Sequence, residues 1–512
     1  DGKEMFCRVK SGGVLGIEGF EVDVEVDIAN GLPQFSIVGL GDKAINEARE
    51  RVRSALKNIG FQLPVKRITV NLSPSHLKKQ GTHYDLPIAL GILKLSTGID
   101  FPEDYVVLGE LSLDGKINPV KGVLPIVLSL KALGYKKFIV PEGNAREAGL
   151  VKDVEVYGFE NLRDVLDFFS GSLSKKPVEV NLEEVFEQNL SFDVDFSEVY
   201  GQYQAKRAME ISAAGFHHIL LVGPPGAGKS MLARRLITIM PPLTFEEAVE
   251  ITRIYSVAGL LDGQKPLITK RPFRNPLTNA SDSALVGGGT VPQPGEISLA
   301  HRGVLFLDEF PEFSRKAIEA LRQPLEDGKV TVSRVGGRIT FPAEFLLVVA
   351  MNPCACGNYG NPYKACVCTP MQLKAYQSRI SGPIMDRIDL KVWVYPVEKE
   401  DLLKMSSGES SAQIRQRVMR AVEIQRERFK NSPTKYNSRM TNDEVKKYCE
   451  MTQEAKSMLQ SAIDRLNLTG RGYIKTLKVA RTIADLEGEE KIASHHIAEA
   501  LQYRINEKAP TL

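Results

Sequence analysis

Two short segments have residue types and spacings that suit phosphate chemistry. The first, GPPGAGKS at 223–230, fits the pattern G-x-x-x-x-G-K-[ST] of a phosphate-binding loop, or P-loop. The second, VLFLDEFPEF at 304–313, ends an apolar run on Asp308 and Glu309. Two carboxylates at the end of so apolar a strand lose solvation energy unless a cation offsets their charge. A P-loop binds a triphosphate together with Mg²⁺, which would supply that cation.

The P-loop pattern assigns a role to each of its polar groups. Its glycines let backbone N–H groups face a phosphate, and the N-terminus of the following helix adds a positive dipole end. Lys229 is predicted to bridge the β- and γ-phosphates, and Ser230 to bind Mg²⁺. The alternative is a glycine-rich turn between a strand and a helix that binds no ligand. The predicted nucleotide-binding residues of this segment are Gly223, Pro224, Pro225, Gly226, Ala227, Gly228, Lys229, Ser230 and Met231.

The acidic pair and one asparagine complete the predicted hydrolytic set. Asp308 would hold Mg²⁺, and Glu309 would take a proton from the attacking water. Asn352 ends the apolar segment FLLVVAMN, where its amide would orient that water. The alternatives are a solvated pair of carboxylates and a turn-forming asparagine before Pro353. The position of all three groups on apolar segments that follow a P-loop favours the catalytic interpretation.

Four of the six cysteines crowd into one short segment. They form two C-x-C pairs, Cys354 with Cys356 and Cys366 with Cys368. Four thiolates on one loop suit tetrahedral Zn²⁺, although C-x-C is tighter than the usual C-x₂-C spacing. The alternatives are an iron–sulfur cluster and reduced thiols without a metal. We predict a structural zinc site that holds the end of the Asn352 strand in place.

The elements that must position these groups follow from hydrophobic patterning. The segments HHILLVG, GVLFLDE and EFLLVVAMN are short, apolar and rich in β-branched residues, which is typical of buried parallel strands. We therefore predict an α/β fold in four parts. These are a mixed α/β domain over 5–170, a linker over 171–195, a P-loop core with a parallel sheet over 196–395, and a helical region over 396–512.

The composition is that of a globular protein with several cores. The 512 residues are 43% hydrophobic and 25% charged, and the 66 basic residues nearly balance the 63 acidic ones. That balance neither demands nor excludes a nucleic-acid partner. We predict a cytoplasmic protein, because no apolar run could span a bilayer, no export signal is evident, and clustered cysteines favour a reducing compartment.

Seven longer segments match the motifs of one family: GPPGAGKS, ALVGGG, PGEISLAHRGVLFLDEFPEF, EALRQPLEDGKVTVSR, MNPCACG, SGPIMDRIDL and VARTIADLEG. Along essentially its whole length the chain resembles the ComM or YifB proteins, which are magnesium-chelatase-like AAA+ ATPases. The resemblance implies a Lon-protease-like N-terminal domain, an AAA+ core of the helix-2-insert group and a C-terminal helical lid. It also implies a homo-hexameric helicase that uses ATP and Mg²⁺ to drive branch migration when transforming DNA is integrated by homologous recombination. Single-stranded and branched DNA and recombination proteins are its implied partners.

The resemblance assigns three further residues to the nucleotide. Arg387 in IMDRIDL corresponds to the arginine finger, which reaches the γ-phosphate bound by a neighbouring subunit. Arg471 corresponds to sensor 2 of the lid, and Gln202 to a position near the adenine. For each lone arginine the alternative is a surface salt bridge. The chain departs from the family at Leu277 and Thr278, where relatives commonly carry two histidines.

A predicted hairpin offers a site for DNA. The segment KVTVSRVGGRITF at 329–341 alternates on both sides of Gly336-Gly337, which is the signature of a two-residue turn. The resemblance places the presensor-1 hairpin of ring helicases here, and we predict that Arg334 and Arg338 contact DNA phosphates. A solvated hairpin tip is the alternative. The glycine-rich segment ALVGGGTVPQPGEISL would form the helix-2 insert, a second pore loop.

The N-terminal segments NLSPSHLKKQGTHYDLPIALGIL and GELSLDGKINPVKGVLPIVLSL resemble a Lon-protease-type domain. Lon-type proteolysis needs a Ser nucleophile and a Lys base. His83 stands about where the Ser would fall, and Val123 or Leu124 where the Lys would fall. We predict a non-catalytic domain in which His83 and Asp85 are surface residues with their hydrogen bonds satisfied, and the alternative is a residual polar site. The main alternative function is a metal-chelatase-type or protein-remodelling ATPase that does not act on DNA. An ATP-dependent protease is a further alternative, which the missing Ser–Lys pair opposes.

Overall fold

The computed structural model describes residues 5–77, 79–186, 190–334, 337–379, 382, 384–397, 399–404 and 408–505. Two large β-sheets and a C-terminal group of helices make up most of this part of the chain. None of the described helices is long and apolar enough to cross a membrane.

The N-terminal part is built on a seven-stranded mixed sheet. Its two longest strands form an antiparallel hairpin, and buried residues alternate with more exposed ones along the second strand, as a half-buried sheet requires. In sheet order the strands are Gln34–Val38, Arg67–Ser73, Glu18–Ala29, Met5–Leu15, Tyr105–Val107, Lys137–Pro141 and Glu155–Phe159. The α-helices of this part are Asp42–Asn58, Asp85–Thr97, Val123–Ala132, Ala145–Ala148 and Leu162–Ser170, and a small hairpin joins Glu110–Leu111 to Ile117–Asn118.

The P-loop core contains a five-stranded sheet in which every pairing is parallel. The strand order is Phe273–Arg274, Val304–Leu307, Leu346–Met351, Ile219–Val222 and Leu390–Trp393. The three predicted apolar strands are buried along their whole length. Their carboxyl ends lie side by side, which is the edge where open parallel sheets bind ligands.

Helices and two small hairpins surround this sheet. The larger helices are Tyr203–Gly215, Lys229–Ile239 and Phe245–Ala258. The shorter ones are Leu182–Phe186, Asp282–Val286, Glu296–Leu299, Arg315–Glu319, Arg322–Asp327, Pro370–Ser378 and Lys399–Lys404. The hairpins join Gly287–Gly288 to Gln293–Pro294 and Lys329–Arg334 to Gly337–Pro342.

The C-terminal helices pack mainly against the helices Tyr203–Gly215 and Lys229–Ile239 and share one hydrophobic core with them and the parallel sheet. Most begin at a hydroxyl N-cap, of which Ser410 and Thr441 form full capping boxes. A buried polar chain also crosses this interface, because His217 contacts Asp389 and Thr482, each at 2.7 Å. The C-terminal helices are Ser411–Arg428, Asn442–Tyr448, Gln453–Leu466, Gly470–Glu487 and Ser494–Ile505.

The N-terminal part is docked firmly onto the helix Phe245–Ala258 of the P-loop core. Apolar residues of Val123–Ala132 and of Phe245–Ala258 belong to one buried cluster. The backbone N–H of Gly122 donates to Ser256 O at 3.0 Å, and Arg253 pairs with Glu18 at 2.8 Å. Residues 178–186 of the predicted linker lie against this body, since the N–H of Val178 donates to the carbonyl of Val156 at 2.8 Å and apolar residues of this stretch pack on the same buried cluster.

Candidate nucleotide site and cysteine cluster

The P-loop leaves the strand Ile219–Val222 and leads directly into the helix Lys229–Ile239. Gly226 at φ 78° and Gly228 at φ 103° have left-handed backbones, which a side chain would strain. Gly228 is the N-cap of the helix, so the N–H groups of the first turn face the loop. The strand, loop and helix thus follow one another as the sequence predicts.

Lys229 is buried at the centre of this site. Its ammonium group donates to the carbonyl oxygens of Gly223 and Pro224, the latter at 3.1 Å, and to Asn352 Oδ1 at 3.2 Å. Burial lowers the pKa of Lys229 to about 8, and the nearby charge of Asp308 opposes that shift. The lysine therefore joins the P-loop to the tip of the neighbouring strand, and a phosphate here would stabilise its charge.

Ser230 and Asp308 present oxygen atoms to each other across the site. Ser230 Oγ lies 3.4 Å from Asp308 Oδ2, and the backbone N–H of Glu309 donates to Asp308 Oδ1 at 2.9 Å. A hydroxyl and a carboxylate are the hard oxygen ligands that Mg²⁺ prefers. These two residues therefore fit the Mg²⁺ that a triphosphate would bring, and Glu309 lies exposed beside them.

Two predicted site residues have strained backbones. Glu309 has φ 52° and Gln202 has φ 58°, a left-handed conformation that is unfavourable for residues other than glycine by roughly 1–2 kcal/mol. Such strain persists only where the surroundings impose it, and it clusters at functional sites. The Gln202 amide donates to Ala227 O at 2.9 Å and to Tyr395 O at 2.6 Å, so this side chain lies against the P-loop.

Tyr376 is a neighbour of the site that the sequence did not reveal. Its hydroxyl donates to the backbone carbonyl of Asn352 at 2.8 Å and so fixes the end of that strand. The tyrosine lies on the helix Pro370–Ser378, just after the cysteine segment. No motif marks it, and only the fold brings it to Asn352.

The four clustered cysteines converge as a metal site requires. Cys354 Sγ lies 3.4 Å from Cys356 Sγ, and Cys366 Sγ lies 3.6 Å from both. With Cys368 included, the four sulfur atoms all lie within 4.8 Å of one another. Four thiolates that bind Zn²⁺ at about 2.3 Å are roughly 3.8 Å apart in tetrahedral geometry. The cluster could therefore hold a tetrahedral metal ion.

The cysteine loop forms one wall of the nucleotide site. A Cβ atom added to Gly357 would come within 2.8 Å of Pro225 Cδ and 3.7 Å of Asn352 Nδ2. Gly357 also has φ 86°, so both its backbone and its surroundings favour glycine. The loop thus touches the P-loop and Asn352 at the same point.

The predicted arginine finger and sensor 2 lie together, apart from the P-loop. Arg387 pairs with Glu326 at 2.6 Å, and Arg471 pairs with Asp386 at 2.9 Å. Both arginines line one cavity of about 320 Å³. Within the described part of the chain, neither ion-pair partner belongs to the P-loop. The predicted nucleotide-site residues therefore form two groups. One surrounds the P-loop, and the other is the pair Arg387 and Arg471.

The predicted DNA hairpin forms, but its register differs by one residue from the predicted one. Arg334 pairs with Gly337, so Gly337 belongs to the second strand and not to the turn. This register places apolar residues opposite each other on the buried face, Val330 with Phe341 and Val332 with Ile339. Arg338 is exposed. The turn residues and the side chain of Arg334 lie outside the described part of the chain, so the contact predicted for Arg334 stays a prediction.

Two other features of the P-loop core were singled out from the sequence. The segment predicted to form the helix-2 insert contains the short hairpin of Gly287–Gly288 with Gln293–Pro294, and a Cβ added to Gly288 would lie 3.5 Å from Val332 Cγ1. The two hairpins are therefore neighbours. Leu277 is 74% exposed, and nothing in the structure explains its replacement of a family histidine.

The N-terminal residues expected at the surface are buried. His83 Nε2 donates to Gly12 O at 2.7 Å, and burial lowers the pKa of His83 to about 4, so the ring is neutral. Burial raises the pKa of Asp85 to about 6, although Arg51, which binds it at 2.6 Å, opposes that rise. The expectation of surface residues was therefore wrong, because both side chains are buried and find their partners, Gly12 O and Arg51, elsewhere in the N-terminal part.

Family models cover most of the chain. The model described as "Subunit ChlI of Mg-chelatase" matches residues 24–144, "Magnesium chelatase, subunit ChlI" matches 195–402, and "Magnesium chelatase, subunit ChlI C-terminal" matches 408–504. Among curated proteins, the competence protein ComM of Haemophilus influenzae is 43% identical over 497 residues, which are 96% of either chain. The chain belongs to the ComM/YifB family. YifB of Escherichia coli is 41% identical over 96% of this chain and 95% of its own.

The likeness to magnesium chelatase itself is more distant. The 38 kDa magnesium-chelatase subunit of Cereibacter sphaeroides is 28% identical over 175 residues, which are 31% of this chain and 52% of the subunit. Family membership and the described sheets confirm the predicted fold class. The ComM/YifB chain has a mixed N-terminal α/β part, an AAA+ core with a parallel sheet and a helical C-terminal part.

Proposed function

We propose that the chain is an ATP-hydrolysing subunit of a homo-hexameric ring that moves along DNA. One observation carries the ATPase part of the proposal. Lys229, Ser230, Asp308 and Asn352 follow three neighbouring parallel strands and meet beyond their carboxyl ends. That arrangement matches what the hydrolysis of a triphosphate needs: phosphate charge, hard metal ligands and a polar group for water.

Each residue of this site has a separate role in the hydrolysis of ATP. The P-loop N–H groups and Lys229 bind the β- and γ-phosphates. Ser230 and Asp308 would hold Mg²⁺, which supplies positive charge at the phosphate oxygens when bound. Asn352 orients the attacking water, and Glu309 takes its proton as the water oxygen bonds to the γ-phosphorus. The bond from the γ-phosphorus to the oxygen of the β-phosphate breaks in the same step, and ADP leaves.

Ring assembly completes the site. Arg387 and Arg471 lie together in a separate cavity and are partly exposed. Residues so placed can serve the triphosphate of an adjacent subunit, where a guanidinium offsets the charge of the transition state. An isolated subunit should therefore hydrolyse ATP slowly.

The DNA part of the proposal rests on two supports. The relative from Haemophilus influenzae is named for competence, and the family resemblance connects that state with branch migration of transforming DNA. The two adjacent hairpins, with Arg338 exposed on one, suit the lining of a ring pore. The N-terminal part would act without catalysis, since its positions for a Ser–Lys pair hold His83 and apolar residues.

The test is strand displacement on forked and four-way DNA, with ATP turnover measured in the same samples. We expect ATP turnover to rise with DNA and strands to separate only with ATP. A metal-chelatase-type ATPase is the second candidate, because the matching family models describe chelatase subunits. ATP turnover that DNA leaves unchanged would favour that candidate.

Loss of zinc is expected to lower ATP turnover by about tenfold, because the cysteine loop supports Asn352 and Pro225. We propose one structural Zn²⁺ per chain at the four cysteines. Cys366→Ser should lose the metal and unfold at a lower temperature, whereas Cys7→Ala, at a cysteine outside the cluster, should keep the metal. Metal analysis by mass spectrometry and thermal unfolding check both. A full zinc content in Cys366→Ser would contradict the site.

Arg338→Ala is expected to weaken DNA binding and to reduce the slope of log affinity against log salt concentration by about 1, as the loss of one phosphate contact does. Basal ATP turnover should not change. Fluorescence anisotropy over a range of salt concentrations measures the slope. Thr340→Ala, an exposed and uncharged position on the same strand, is the control for hairpin integrity. An unchanged slope would mean that Arg338 does not contact a DNA phosphate.

A further inference from the structure

A third arginine lines the cavity that holds Arg387 and Arg471. Three elements bound this cavity: the helix Arg322–Asp327, the turn that carries Arg387, and the start of the helix that carries Arg471. Arg322 and Glu326 are four positions apart on their helix, so they project from the same side of it, and both line the cavity. Three arginines from three separate elements therefore line one cavity.

The carboxylates around these arginines leave the cavity positively charged. Glu326 and Asp386 pair with Arg387 and Arg471, and both acids line the cavity. Arg322 instead pairs at 2.9 Å with Glu319, which is not part of the cavity lining. Three arginines and two acids thus line the cavity. All three pairs are substantially exposed, and ion pairs of that kind are weak, so a phosphate can displace them.

Contacts from the C-terminal part of the chain hold the three elements in place. Arg439 Nη1 donates to the carbonyl of Leu325, on the Arg322 helix, at 2.8 Å. Lys475, one turn beyond Arg471, donates to the carbonyl of Ile388, next to Arg387, at 3.2 Å. The elements that carry the three arginines are therefore held together by these contacts, and the three arginines could bind one ligand at the same time.

We propose that Arg322 binds the γ-phosphate held by the adjacent subunit, beside Arg387. The inference rests on the proposed function, because only the assembled ring would bring that phosphate to the cavity. A terminal phosphoryl group has three non-bridging oxygens and carries most of the negative charge that builds up during transfer. The planar fork of arginine matches two phosphate oxygens at once, which a lysine cannot do.

The first test is the ATP turnover of Arg322→Ala with DNA present. We expect kcat to fall by about tenfold or more, as the loss of one charge-stabilising donor does, with nucleotide binding to the P-loop unchanged. Arg322→Lys should stay impaired, because it keeps the charge and loses the fork. Arg426→Ala is the matched control: Arg426 pairs with Glu423 at 2.9 Å, also three residues away, and its side chain is 53% exposed, as that of Arg322 is.

The second test locates the residue by mixing variants. A Lys229→Ala subunit lacks its own phosphate site and still supplies Arg322 to its neighbour, whereas an Arg322→Ala subunit keeps its own phosphate site. Mixed rings should therefore hydrolyse several times more ATP than the sum of the two variants alone. Thermal unfolding and sedimentation verify that each variant folds and assembles.

Three outcomes are distinguishable. Recovery in the mixture supports action on the adjacent subunit. An Arg322→Ala protein as active as Arg426→Ala, or a mixture of folded, assembled variants without recovery, overturns the inference about Arg322. A wild-type protein that does not hydrolyse ATP overturns the proposed function instead, before any variant is compared.

Discussion

Glu309→Gln is expected to lower ATP turnover by roughly 100-fold or more and to leave ATP binding intact. Glutamine has nearly the size of glutamate and keeps an acceptor for hydrogen bonds, but it cannot take a proton from water. The left-handed backbone at this position should persist, because the chain already holds a glutamine, Gln202, in the same conformation. Steady-state phosphate release and the binding of a fluorescent ATP analogue measure the two effects separately.

The control for this prediction is Glu312→Gln. Glu312 is an exposed acid on the same turn, three residues further along, and it has no predicted part in the chemistry. It should retain wild-type turnover, whereas Glu309→Gln should bind DNA with ATP and fail to separate strands. Equal turnover by Glu309→Gln and the wild type would assign the proton transfer to another group.

The core of the AAA+ part was predictable because its strands leave few alternatives. A short run such as ILLV or LLVVAM, with no polar position, can only be a strand buried on both faces or a buried helix, and its length favours the strand. Once the strands are parallel, the residues that follow them meet at one edge. Lys229, Asp308 and Asn352 therefore came together as the sequence indicated.

Features that depend on contacts distant in sequence were not predictable. Two adjacent glycines indicated the hairpin turn, but the register follows from the buried pairing of Val332 with Ile339. His83 has no local mark of burial, since its partner is a carbonyl oxygen on a strand 71 residues earlier. The sequence assigns no role to Arg322, and only the fold places it in the same cavity as Arg387.

Arg387→Ala is expected to lower ATP turnover by roughly 1000-fold, or about 4 kcal/mol of transition-state stabilisation. The guanidinium would offset charge that builds up on the γ-phosphate of the adjacent subunit, so ATP should still bind to the variant's own P-loop. The ion pair with Glu326 is exposed, with 40% and 46% of the two side chains accessible. Its loss alone should therefore change stability little, and thermal unfolding should match that of the wild type.

Doping wild-type protein with Arg387→Ala tests whether the subunits of a ring act together. Each variant subunit leaves one site without a finger, either its own or that of one neighbour, so independent sites would lose turnover in proportion to the fraction of variant. A ring that needs coordinated hydrolysis amplifies the loss. We therefore expect DNA-stimulated turnover and strand separation to fall more steeply than the variant fraction. A strictly proportional fall, in rings shown by sedimentation to contain both proteins, would contradict coordinated action around the ring. Full activity of Arg387→Ala alone would mean that the finger is another residue.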